Sequence, residues 1–91
     1  MRINELHWND WNEDHIARHG VAPDEVEEVV FHRSYYLARI GGDRYLVIGR
    51  TDGGRLLSII VDRDDGSNFF VVTARDAAPK ERRLYQRHGP R

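Results

Sequence analysis

The sequence predicts an α+β fold: an antiparallel four-stranded meander sheet with two helices before it and one after, in the order βααββββα. Three observations lead there. Apolar residues recur at helical spacing up to Val30 and alternate with polar residues after Ser34. Short turns break the alternating region at Gly41-Gly42, Asp52-Gly53-Gly54 and Asp64-Asp65-Gly66-Ser67, as consecutive hairpins require. The last stretch carries Pro79 near its start and Gly89-Pro90 at its end, the punctuation of a closing helix.

The elements follow in order. Leu6-His7-Trp8 reads as a short strand or an extended lead-in. Asn12 suits a helix N-cap, with Glu13 and Asp14 in the first turn, Arg18 and His19 in the last, and Gly20 just beyond. Pro23 opens a second helix. Val26, Val29 and Val30 form its buried stripe, and Glu25, Glu27 and Glu28 are expected to point outward. Strands are expected over residues 35–40, 44–50, 55–62 and 68–75. In the last of these Phe69/Val71 and Phe70/Val72 are all apolar, which predicts a central strand covered on both faces. Asp76 is a candidate cap for the closing helix, which should run to about His88. The expected core is Trp8, Ile16, Val26, Val29, Val30, Leu46, Ile48, Leu57, Ile59, Val72 and Leu84.

Composition limits the function. Ninety-one residues suit one domain, 1–91, with one modest core, so chemistry would sit in an open groove on a large substrate. With no cysteine, disulfides and thiolate metal sites are excluded. The N-terminal residues hold no apolar run of the signal-peptide kind, and no stretch approaches the ~20 apolar residues of a membrane span. A cytoplasmic protein is expected. The net charge of -1 hides a split. Residues 1–30 carry eight acids and two bases, and residues 31–91 carry seven acids and twelve bases. Such asymmetry suits different macromolecular partners at the two ends.

The basic tail is the strongest local feature. Arg75 should end a central strand. Arg82 and Arg83 follow on a helix, with Tyr85 three residues beyond Arg82. Guanidinium forks match phosphate oxygens, and an aromatic ring stacks a splayed base. A solvated helix, with Glu81 paired to its neighbours, fits the same residues. His7, His15 and His19 form a second set. A metal site on them is disfavoured, because no acidic helper is clearly placed. His19 as a proton carrier fits better, since an imidazole titrates near neutrality. No metal or cofactor is implied.

The order of segments resembles the BrnT-type toxins of bacterial type II toxin–antitoxin systems, over roughly residues 6–87. The resemblance rests on Trp8, on Arg18-His19-Gly20-Val21, and on residues 25–31. It continues through Arg44, Ile48-Gly49-Arg50-Thr51, Arg55-Leu56-Leu57, residues 71–77 and Glu81-Arg82-Arg83-Leu84-Tyr85. Where such toxins usually carry a lysine before the first helix, this chain has Asn9-Asp10-Trp11-Asn12. Where they tend to have arginines early in the last strand, it has Asn68-Phe69-Phe70. The resemblance implies a RelE-like fold and metal-independent cleavage of RNA, free or ribosome-bound, that inhibits translation. It also implies a ribbon-helix-helix antitoxin as partner. Under this reading Arg75, His19 and Tyr85 carry catalysis, and Arg50, Arg82 and Arg83 bind RNA. The alternative is a non-catalytic protein-binding module derived from the same fold.

Overall fold

The computed structural model describes residues 2–88. Strand β1 (Glu5–His7) leads into helices α1 (Asp10–Ala17) and α2 (Pro23–Phe31). Strands β2 (Tyr36–Gly41), β3 (Arg44–Arg50), β4 (Leu56–Asp65) and β5 (Asn68–Asp76) follow, and α3 (Pro79–His88) closes the chain. The expected stop at Gly89-Pro90 lies outside the described residues.

The sheet differs from the expectation in one respect. It has five strands, ordered β1-β5-β4-β3-β2, and is mixed rather than wholly antiparallel. The meander β2 to β5 is antiparallel, but β1 runs parallel to β5, with Leu6 opposite Phe69. The cause is burial. Ile3 and Leu6 are both buried in the core, and β5 would otherwise offer an open edge of unpaired backbone. Where β1 ends, the buried Asn12 side chain takes over that edge. Its Nδ2 donates to the carbonyls of His7 (2.9 Å) and Val71 (3.0 Å). Asn12 is therefore not the cap of α1. Asn9 is: its Oδ1 accepts the Asn12 N–H, and the Asn12 Oδ1 accepts the Asn9 N–H in return.

The two sheet faces are covered unequally. On one face α1 and α2 bury Ile16, Val26, Val29 and Val30 against Val47, Leu57, Ile59, Val61, Phe69 and Val71. A register shift between Ile60 and Val61 keeps Phe69, Val71 and Ala74 all facing this core. Close packing of α2 requires Gly49, where a Cβ would approach Val29 Cγ1 to 2.8 Å. On the other face α3 covers only one end, and there Ile48, Leu56 and Ala77 pack with Tyr36, Leu46, Leu84 and Tyr85. Because cover on that face is partial, Leu46, Val72 and Leu84 are half-buried rather than core, as is Phe70. Trp8 is also half-buried and gives its indole N–H to Glu27 (2.8 Å). The glutamates of α2 do not simply face water. Glu25 binds Arg55, and Glu28 accepts the Asp52 N–H. Asp76 is the end of β5 and not a helix cap. Its carboxylate receives the Arg55 Nε–H at 2.7 Å, and the helix begins at Pro79.

A histidine fastens the edge strand. The His7 ring lies between the carboxylates of Asp64 and Glu5. The hydrogen bond to Asp64, then that to Glu5, raises its pKa above the ordinary 6.5. A raised folded-state pKa contributes stability that is fully present below the unfolded value and lost as pH rises through the folded one. The difference in melting temperature between wild type and His7→Gln should therefore be largest below about pH 6.5 and fade as pH rises above it. A difference independent of pH would show that the imidazolium contributes nothing.

Candidate nucleic-acid interface

On the face that carries α3, one row of residues crosses four strands: Tyr36 opposite Ile48, Ile48 opposite Ser58, and Ser58 opposite Arg75. Helix α3 lies across this row and touches a different strand at each turn. Glu81 binds Arg75 on β5, Tyr85 lies under Arg50 of β3, and His88 approaches Tyr36 on β2.

Arg75 and Glu81 form a fork-to-fork pair, with Nη1 to Oε1 and Nη2 to Oε2 both at 2.8 Å. Nη1 also donates to the Asp76 carbonyl at 3.1 Å. A guanidinium has five N–H donors, so the Nε–H and the second Nη2–H remain for a phosphate. Glu81 is well enclosed, its side chain 16% exposed. Burial pushes its carboxyl up, but the Arg75 guanidinium and the Ala78 N–H hold it below the usual range. Glu81 in turn keeps the Arg75 guanidinium firmly protonated.

The other candidates divide. The Arg50 guanidinium sits 5.7 Å from the Tyr85 ring centre and donates Nη1–H to the Gly54 carbonyl at 2.7 Å. Tyr85 is half-buried beneath it, so its ring is partly committed to packing. Arg82 and Arg83 are exposed on α3. His19 lies past the end of α1, in the turn before α2, and packs edge-on against His15 at 5.6 Å. It is linked to Arg75 only through a relay. Arg55 Nη1 holds the neighbouring Gly20 carbonyl (2.8 Å), and Arg55 Nε holds Asp76. That clasp places His19 and Arg75 at the same end of the sheet without joining them. His7, His15 and His19 do not converge: among the described residues no group of three His, Cys, Asp or Glu is placed to hold a metal ion.

From sequence, Glu81 has a role only in the solvated-helix alternative and is not joined to Arg75, the pairing the structure shows. Pro at the first helical position followed by Glu at the third marks a start at Pro79, and the Glu81 carboxylate does accept the Ala78 N–H (2.7 Å). A helix begun at Pro79 turns Glu81 back onto the strand it follows.

No helix among the described residues is long and apolar enough to cross a membrane. The sequence matches no family model and none of the curated proteins. The fold does match a solved structure, that of the ribonuclease toxin BrnT from Brucella abortus. The TM-score is 0.66 at 22% identity, over 81% of this chain and 96% of that one. The chain thus has the fold of a BrnT-type toxin.

Proposed function

We propose that this chain is the toxin of a type II toxin–antitoxin system, a metal-independent endoribonuclease that inhibits translation and is neutralised by a ribbon-helix-helix antitoxin. One observation carries the reading. On a fold like that of a ribonuclease toxin, Arg75 stands on the sheet face beside α3 with part of its guanidinium still unpaired. Cleavage without a metal proceeds by attack of the ribose 2′-oxygen on the adjacent phosphorus. A base takes the 2′-proton, the bond from phosphorus to the 5′-oxygen breaks, and an acid protonates that oxygen. The products are a 2′,3′-cyclic phosphate and a 5′-hydroxyl. Arg75 stabilises charge on the phosphoryl oxygens, and Glu81 is a positioning residue that fixes the Arg75 fork. Arg50, Arg82 and Arg83 contact flanking phosphates and Tyr85 meets a base. His19, held on the opposite face of the sheet, serves as proton carrier only if the RNA wraps around the sheet end. The exposed Arg82 and Arg83 also suit an acidic antitoxin surface.

The same Arg75–Glu81 pair favours one rival. A guanidinium already matched to a carboxylate is what a non-catalytic binding module would keep. Expression of the chain alone in bacteria separates the two. The toxin arrests growth, and co-expression of its antitoxin restores it. A binding module leaves growth unchanged while still capturing the antitoxin.

A further inference from the structure

Beyond α3 the fold builds a basic cleft assembled from three distant parts of the chain. Arg2 comes from the N-terminal lead-in, Arg33 and Ser34 from the connection between α2 and β2, and His88 from the last turn of α3. Tyr35 and Tyr36 line the cleft between them, and its volume is about 940 Å³. A smaller cavity of about 280 Å³ adjoins it, sharing Arg33 and Ser34 and reaching Arg50 and Tyr85. The two share that wall, and α3 lines the first at His88 and the second at Tyr85.

Its charge is poorly compensated. Asp52 is the carboxylate on the wall, and it is held by His32 Nδ1 (3.0 Å) and Arg33 Nε (3.4 Å). Among the described residues Arg2 and Arg50 form no ion pair with a carboxylate. Unmatched cations along a concave wall concentrate positive potential there and draw in a polyanion. Between them stand rings. Tyr36 and His88 lie 6.0 Å apart at a tilt of 34°, and Tyr85 lies under Arg50. Cations alone would suit any phosphate, but cations alternating with rings suit a chain that alternates phosphates with bases. A duplex hides its base faces, so the matching ligand is single-stranded.

We propose that the two cavities together form a channel for the single-stranded RNA that flanks the cleaved bond, with Arg2, Arg33 and Arg50 on its phosphates and Tyr36 against a base. The assignment rests on the ribonuclease reading and names where its substrate lies.

The test is binding of a short fluorescein-labelled single-stranded RNA, measured by anisotropy over a range of salt. Arg2→Gln/Arg33→Gln should weaken binding about tenfold or more. It should also lower the slope of log affinity against log salt by about 1.4, since each phosphate contact on a single strand contributes about 0.7. Tyr36→Leu should weaken binding about five- to a hundredfold with the slope unchanged. Each variant is first checked for a wild-type melting transition. The exposed arginine pair keeps the test decisive if the tyrosine variant unfolds. If wild type binds and cuts RNA but the arginine variant matches it in affinity and slope, the channel assignment fails and the ribonuclease reading stands. If wild type binds no RNA, the channel assignment fails, and the ribonuclease reading then stands or falls on cleavage of ribosome-bound RNA. If the arginine variant keeps RNA but loses the antitoxin, the channel is a protein seat and the proposal is overturned.

Discussion

Arg75→Ala should lower the rate of RNA cleavage about 10²–10³-fold, the usual loss when one positioned donor to a developing oxyanion is removed. The effect should fall on kcat more than on KM, because flanking cations hold the substrate through other phosphates. Arg75→Lys is the informative companion. It keeps the charge near Glu81 but loses the fork, so it should recover only a small share of the rate. Glu81→Gln should cost less than Arg75→Ala, again in kcat, since it loosens the fork without removing it. Single-turnover cleavage of a labelled RNA at saturating enzyme measures all three. Full activity of Arg75→Ala would remove Arg75 from the site.

Phe69→Ala should cost about 3–5 kcal/mol, a large share of the ~5–15 kcal/mol that holds a typical domain together. The Phe69 ring is fully buried where β1, β4 and β5 meet. It packs edge-on against Tyr45 at 5.8 Å and lies beneath the Arg63 guanidinium. Removing it leaves a cavity in the core beside Tyr45 that the flanking strands cannot close. Urea unfolding followed by the fluorescence of Trp8 and Trp11 reads the loss. Phe70→Ala, next in sequence but half-buried beside the exposed Trp11, should cost clearly less. A loss below about 1 kcal/mol at Phe69 would mean that this end of the core is not closed as described.

The contrast between Phe69 and Phe70 also shows what could be read in advance. The meander was legible because its signals are local: alternation over a few residues and glycines at the turns. Four consecutive apolar residues from Phe69 to Val72 marked β5 as interior, and it is flanked by β1 and β4. They did not reveal that α3 would leave Phe70 and Val72 only half covered. The parallel pairing of β1 was not legible, since it joins segments more than sixty residues apart. Asn12 was misassigned because Asn9 and Asn12 both have cap chemistry, and only the free edge of β5 decides between them. The site shows the same division. Arg75 and Tyr85 stood out as residue types in a basic stretch, and their elements were foreseeable. The fork from Arg75 to Glu81 depends on the angle at which α3 folds back. Arg2, Arg33 and His88 share no spacing, so only the tertiary structure brings them to one cleft.

The central claim is that these residues cut RNA without a metal, and the ends of the product test it most directly. Purified protein should be incubated with a labelled single-stranded RNA, and in parallel with translating ribosomes, in excess chelator. The account predicts cleavage undiminished by the chelator, leaving 2′,3′-cyclic phosphate and 5′-hydroxyl ends. Cleavage abolished by the chelator, 3′-hydroxyl and 5′-phosphate ends, or no cleavage of either substrate would contradict it.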